Sequence, residues 1–160
     1  MLTLMARMAV GAAAAMTVGS NSFAAGGPIP GRFSCLGADV RPELHWSAPP
    51  PGAKSLAILV EDPDAPGGTF IHWVQFGLPP GARSLEEGSP APGHMGRNDF
   101  GRRGYGGPCP PPGPPHHYHF RLFALDSEPD LPAGATAAEL RRAMQGHVLA
   151  EGEVVGTFGR

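Results

Sequence analysis

Residues 55–78 read S-L-A-I-L-V-E-D-P-D-A-P-G-G-T-F-I-H-W-V-Q-F-G-L. The stretch opens with an apolar run, Leu56 to Val60, of the length of a buried strand. It breaks at the Pro- and Gly-bearing segment Glu61 to Gly68 and resumes as a second apolar run from Phe70 to Leu78. Two such runs separated by Pro and Gly predict strand, loop, strand. The break carries Asp62 and Asp64, and the second run carries His72, so three ionisable groups fall at or near strand ends. Pro63 and Pro66 each fix one φ, which stiffens the loop that holds the two carboxylates. A stiff loop with ionisable groups beside a core strand is where a site is expected.

Further strands follow from the same pattern. His117 to Leu125 alternates, with Tyr118, Phe120, Leu122 and Ala124 on one face. Leu44-His45-Trp46 reads as a short strand, and the A-P-P-P-G of residues 48–52 as a rigid turn into the Ser55 strand. Pro79-Pro80-Gly81 is another turn. Arg83 to Arg103 has few large apolar residues and several glycines, the mark of a long surface excursion that can shape a pocket. One helix is predicted. Thr136-Ala137-Ala138-Glu139 matches a capping box, and Leu140, Met144 and Val148 follow on one face while Arg141, Arg142 and Gln145 point outward. Gly152 is read as its end and Val154 to Phe158 as a last short strand. His147, flanking the packed face, reads as a structural histidine rather than a ligand. Strands outnumber helices, so the class is all-β with a C-terminal helix.

A chain of 160 residues is one domain's worth, long enough for a proper core. Charged residues make up 16% and the formal net charge is −2, with no basic patch, which argues against nucleic-acid binding. The 24 glycines and 20 prolines reach a level that often accompanies disorder. They sit between apolar, aromatic-bearing segments, however, which indicates a loop-rich β protein.

The N-terminus reads as a secretory signal. Arg7 is its only charge, Met8 to Val18 is an apolar run too short to span a bilayer, and Ser22-Phe23-Ala24 offers small residues at −3 and −1 of a cleavage site. The expected organisation is a signal peptide over 1–24, a Gly/Pro linker over 25–32 and a domain over 33–160, in a periplasmic or secreted protein. In that compartment Cys35 and Cys109 either form a disulfide or remain two buried thiols. A bridge closing so long a loop would contribute roughly 4 kcal/mol. No cysteine spacing resembles a zinc knuckle.

A second candidate segment, G-Y-G-G-P-C-P-P-P-G-P-P-H-H-Y-H-F, covers residues 104–120. Its glycines leave room for backbone amides to approach a ligand, and Pro110 and Pro111 lock the path of the chain. Any X-Pro bond here could be cis. On a strand, His116 and Tyr118 share a face while His117 points to the other. Amides, imidazoles and a phenol together suit an anion.

D-P-D-A-P (62–66), I-H-W-V (71–74), G-Y-G-G-P-C-P-P (104–111) and H-H-Y-H-F (116–120) together resemble the phosphatidylethanolamine-binding protein family, in particular its bacterial Raf-kinase-inhibitor-like branch. R-P-E-L-H-W (41–46), F-A-L-D (123–126) and A-M-Q-G-H-V-L-A (143–150) fit as well, so the resemblance runs from about Phe33 to Phe158. It implies an antiparallel, Greek-key-like β-sandwich with a short C-terminal helix and a small anion pocket at one end. The pocket would comprise Asp62, Asp64, His72, Gly107, Pro110, Pro111, His116 and Tyr118. One position departs from the family: the usual H-R-Y is His116-His117-Tyr118 here. Since His117 faces away, surface charge changes, and any contact that needs an arginine is in doubt.

The resemblance further implies an exported, non-catalytic binder without cofactor or metal. Its ligands would be phosphate, a phosphorylated small molecule or lipid headgroup such as phosphoethanolamine, or an anionic peptide end. Some family members inhibit kinases or carboxypeptidases, and dimers occur, so a protein or protease partner and a homodimer are further expectations. An exported protein would not meet a cytosolic kinase.

Two carboxylates ~4 Å apart would repel by about 4 kcal/mol at an effective dielectric of roughly 20. The expected offset is hydrogen bonding of Asp62 and Asp64 to His72 or His116, whose pKa values would rise, or to a protonated ligand oxygen or an ammonium. Phosphate would then bind more tightly near pH 6 than pH 8. The competing reading is a metal-assisted or acid/base hydrolase using Asp62, Asp64, His72, His116, His117 and His119. Against it, the chain has neither H-E-x-x-H nor G-x-S-x-G and offers no evident nucleophile. A third reading makes the Asp and His residues a purely structural cluster.

Overall fold

The computed structural model describes residues 14–160. Within them the chain order is β1 (Ala14–Ala15), β2 (Val18–Gly19), a 3-10 turn (Gly31–Phe33), β3 (Leu44–Trp46), β4 (Ser55–Asp62), β5 (Phe70–Leu78), β6 (Ser84–Leu85), β7 (His94–Met95), β8 (His116–Leu125), α1 (Ala137–Met144) and β9 (Val148–Phe158). Six strands form one sheet in the order β1-β9-β8-β4-β5-β7, and β2-β3-β6 form a second.

Strand β4 is buried at all eight positions because both faces of the large sheet are covered. Leu56, Ile58 and Val60 join Phe120, Leu122 and Trp73 in a cluster with Leu44, Trp46 and Leu85 of the small sheet. The alternate residues, Ala57 and Leu59, pack with Val74, Phe76 and Leu125 beneath Leu140 and Met144 of α1. An unbroken apolar run is what a strand buried on two faces requires. The fold is thus mostly β, a sandwich with one short helix on its outer face.

Half of the capping box forms: the Thr136 hydroxyl accepts from the Glu139 amide, while the Glu139 carboxylate accepts from the Thr136 hydroxyl rather than from an amide. Three expectations need correction. First, the helix stops at Met144, and Val148 pairs with Leu125 as the first residue of β9. Gly146, at φ 79°, takes a left-handed turn that ends the helix roughly two turns before Gly152. Second, Gly152 and Gly156 read as breakers but lie inside the 11-residue β9. A Cβ on Gly152 would collide with the Met16 carbonyl, and one on Gly156 with the Ile29 side chain. Glycine there marks a close crossing of chain, not an end. Third, β1 pairs with β9 in parallel, so the sheet is not wholly antiparallel.

That crossing chain is the segment expected to be cleaved or to serve as a linker. The part of the expected leader over residues 1–13 lies outside the described residues. From Met16 onward the segment belongs to the folded body. Met16 is 7% and Phe23 6% exposed, Phe23 stacks on Phe120 at 5.3 Å, and Val18 pairs with Trp46. Residues 25–32 dock along β9 through Gly26 N–H to Val155 O and Ile29 N–H to Thr157 O, both 2.7 Å. Small apolar residues suit a leader and a packed crossing equally well.

Cys35 and Cys109 form a disulfide across 74 residues. All peptide bonds among the described residues are trans, including those before the prolines of the 104–115 loop.

A chain beginning at Ala25 is expected to unfold at a distinctly lower urea midpoint than one beginning at Met16, and Phe23→Ala alone should cost about 3 kcal/mol. Equal midpoints for the two chains would show the segment to be dispensable. The Cys35→Ser/Cys109→Ser double variant should lose about 4 kcal/mol by the same measurement, the loop-closure contribution of the bridge.

Candidate functional site

Strands β8, β4 and β5 are neighbours and antiparallel, so the end of β4 meets the starts of the other two. This brings Asp62, the last residue of β4, beside His72 and beside His116 and Tyr118. The register sharpens the convergence. Val60 pairs with Trp73 but Glu61 pairs with Ile71, which leaves His72 as the extra residue of a β-bulge. A bulge re-aims the side chain it carries. His72 is accordingly buried, with its ring 5.1 Å from Tyr118 and 4.9 Å from Phe70.

These groups open into a cavity of about 140 Å³ lined by Asp62, His72, His116 and Tyr118, with Pro110 and Pro111 on one wall. Six of the eight site residues expected from the sequence therefore line one cavity. Asp64 and Gly107 do not. Asp64 turns outward and accepts from both the backbone N–H and the Nδ1 of His117, at 2.8 and 2.7 Å. Those hydrogen bonds hold its carboxyl below the usual carboxylate range. The anticipated repulsion between two pocket carboxylates does not arise, because Pro63 carries the chain away after Asp62. Gly107 is buried behind the wall, its N–H donating to Asp39 Oδ1 at 2.8 Å, and a Cβ there would strike the Phe33 carbonyl. Its smallness serves loop packing rather than ligand approach.

Asp62 is held on both oxygens. Oδ1 accepts the Asp64 N–H at 2.8 Å, and Oδ2 lies 2.7 Å from His116 Nδ1. Its neighbour Glu61 points to the opposite face, where Arg121 and Arg141 each approach its Oε1 to 2.7 Å. His72 differs from expectation. Its Nδ1 faces the Gly106 carbonyl at 2.8 Å rather than a carboxylate, and burial pushes its pKa down. It is neutral at pH 7. His117 is exposed and faces away from the cavity, as alternation requires.

The sequence reading missed Ala65, Pro66, Phe70, Phe100 and Cys109, which complete the lining. Phe70, two positions before His72, could have been found from the strand pattern. Phe100 left no such signal. It is placed by the buried Asn98, whose Oδ1 accepts the Phe100 and Arg102 amides while its Nδ2 donates to the Gly104 carbonyl. The wall at Cys109 is tied to Cys35 by the disulfide and by the Cys35 N–H to the Pro108 carbonyl at 3.0 Å.

Tyr118 carries the polar group of most consequence. It is 1% exposed, and its hydroxyl has no hydrogen-bond partner among the described residues. Burial and the nearby carboxylates push its pKa up, so the phenol keeps its proton. No lysine or arginine among the described residues lines the cavity. Among the described residues, no three His, Cys, Asp or Glu side chains converge to hold a metal ion.

The lowered pKa of His72 sets a sign for stability. The unfolded chain binds a proton at this histidine below about pH 6.5 while the folded chain resists it, so the stabilisation is present above that pH and is lost as pH falls. Urea midpoints of the wild type should drop between pH 7 and pH 5 more steeply than those of His72→Gln. Parallel curves would place the buried imidazole outside this account.

The chain was compared with known proteins. The model of the family described as phosphatidylethanolamine-binding protein matches residues 19–159. A UPF0098 protein of Pyrococcus abyssi is 49% identical over 82% of this chain and 79% of its own. A Mycobacterium tuberculosis protein named as lipoprotein LppC is 47% identical over 92% of this chain and 74% of its own. Among solved structures, a phosphatidylethanolamine-binding protein homolog from Chlamydia trachomatis, CT736, superposes with a TM-score of 0.87 at 40% identity, covering 91% of this chain and 98% of that one. YbcL of Escherichia coli, titled a member of the mammalian family, gives a TM-score of 0.85 at 32% identity over 92% and 99%.

Proposed function

Because the chain belongs to the phosphatidylethanolamine-binding protein family, we propose that it is a non-catalytic binding protein whose cavity takes the phosphate-type end of a small molecule or lipid headgroup. The observation that carries this reading is the Tyr118 hydroxyl, a fully buried donor left without a partner at the cavity. A buried donor left unmade costs about 1–3 kcal/mol, which a ligand oxygen would recover. His116 presents a second polar edge, since Asp62 engages only its Nδ1.

Size and lining agree with this. About 140 Å³ holds a headgroup but falls well short of the roughly 300–1,000 Å³ of clefts that enclose drug-sized ligands. Phe70, Phe100, Pro66, Pro110 and Pro111 make an apolar collar around the polar floor, the arrangement of a site that excludes water and orients one polar group. The lining holds no serine, threonine or free thiol, because Cys109 is bridged. The Asp62–His116 pair is the one feature that favours the hydrolase reading, as a candidate acid/base couple.

We also infer export, with a leader that ends before Met16. The packing of Met16 and Phe23 supports the shorter leader, and the lipoprotein name of one relative and the disulfide support the compartment. Among the described residues, no helix is long and apolar enough to cross a membrane.

Calorimetric titration of the chain from Met16 with inorganic phosphate and with phosphoethanolamine tests the pocket. Saturable binding is expected, lost in Asp62→Ala and His116→Ala. Tyr118→Phe should weaken binding about fivefold while leaving stability unchanged or slightly raised, because it removes an unpaired buried hydroxyl. A folded wild type that binds neither compound would sink this reading. Release of phosphate from p-nitrophenyl phosphate would favour the hydrolase instead.

A further inference from the structure

The ring of His72 is oriented from behind. Its Nδ1 lies 2.8 Å from the Gly106 carbonyl oxygen, which can only accept, so Nδ1 carries the hydrogen. A neutral imidazole with Nδ1 protonated has Nε2 as a lone pair. The groups packed on the ring are Phe70 from its own strand, Phe100 from the loop and Tyr118 from β8, none of them a cation. The charges acting on the ring are the carboxylates of Asp62 and Asp99, while the Arg102 guanidinium lies over Phe100 at 5.3 Å. Asp62 lies at the cavity, and Asp99, whose Oδ2 accepts the Ile71 N–H at 2.7 Å, stands beyond the ring. His116 is committed at Nδ1 to Asp62, and Asp64 is turned outward to His117.

A cavity built this way offers a donor at Tyr118 and a carboxylate at Asp62, with the Nε2 lone pairs of His72 and, by the same tautomer argument, His116 as acceptors. We propose that it selects oxyanions that still carry a proton, such as phosphate, phosphate monoesters or phosphonates as monoanions, over fully ionised sulfates and sulfonates, with the lone pair of His72 Nε2 reading the proton. The inference rests on the phosphate-headgroup reading and specifies the ligand's protonation state.

The physical reason is one of matching. A P–O–H group donates to Nε2, another oxygen accepts from Tyr118, and the monoanion carries the least charge past Asp62. Sulfate has the same shape but no proton at neutral pH. It would set an oxygen lone pair against a nitrogen lone pair and bring a second negative charge to a carboxylate, with no lysine or arginine in the lining to offset it. Sulfate could be accommodated only if His72 took a proton from solvent, and burial of the ring opposes that.

The test compares methylphosphonate with methanesulfonate by calorimetry at pH 6 and pH 8, at matched ionic strength. The ratio of the two affinities is the decisive quantity. Changes in the protein's own charge with pH act on both anions and largely cancel in the ratio, whereas the ligand's own proton does not. Methylphosphonate should bind at least tenfold tighter than methanesulfonate at pH 6, and the ratio should shrink at pH 8, where methylphosphonate has mostly lost its last proton. His72→Gln brings an amide N–H to the position of the lone pair and should lower the pH 6 ratio below about threefold. If that variant does not fold, the wild-type ratio and its pH dependence still decide the matter. Equal affinities at pH 6, or a ratio indifferent to pH, would overturn the proton-reading role and leave the anion pocket standing. Failure of both anions to bind the folded protein would remove the pocket reading itself, and this inference with it.

Discussion

The antiparallel ladder that places β4 between β8 and β5 is the constraint on which the rest of the structure depends. Its backbone hydrogen bonds set three strand ends side by side, and burial on both faces locks the register, since a slip of one residue would exchange the two sides of the core. Leu56, Ile58 and Val60 need the small sheet to cover them, while Ala57 and Leu59 need the helix. With the register held, Asp62, His72, His116 and Tyr118 have no freedom to be elsewhere. The site is a by-product of how a doubly buried strand must end.

Alternation also resolves the electrostatics. Glu61 and Asp62 are consecutive and both buried, yet their side chains leave on opposite faces. Glu61 is neutralised on the helix side by Arg121 and Arg141. Asp62 is held on the cavity side by His116 and the Asp64 amide. Asp64, past Pro63, is left to His117 in solvent. Three carboxylates within four residues thus occupy three environments, and only one reaches the cavity. The arginine that relatives are expected to carry in place of His117 would meet Asp64, not a ligand.

Loops without regular structure complete the site, and each is anchored by a specific bond. Asn98 folds the excursion that delivers Phe100, Gly106 aligns His72, Asp39 fixes Gly107, and the disulfide ties the proline wall to the 3-10 turn region. The N-terminal crossing seals the far side against β9, where Gly152 and Gly156 make room for it. Rigid strands provide the polar floor, and cross-linked loops provide the collar.

Period-two alternation, an unbroken apolar run and Pro/Gly breaks marked three of the four long strands by themselves, β9 being the exception. Ser55 to Asp62, Phe70 to Leu78 and the strand through Tyr118 were legible because side-chain direction along a strand is a local property. The opposite orientations of His116 and His117 follow from the same rule. The motifs around Asp62, His72 and Gly107 to Tyr118 were enough to indicate the family. Tertiary structure alone decided what depends on a second segment: that Asp64 pairs with His117, that His72 sits at a bulge and bonds a carbonyl, that Phe100 lines the cavity, and that Gly107 packs against Phe33. It also decided that Met16, Phe23, Ile29 and Phe33 enter the core, because Gly152 and Gly156 announce a crossing segment only once that segment is present. Local pattern encodes the direction of a side chain, but its partner comes from residues distant in the chain, and hydrogen bonding and burial are properties of the pair.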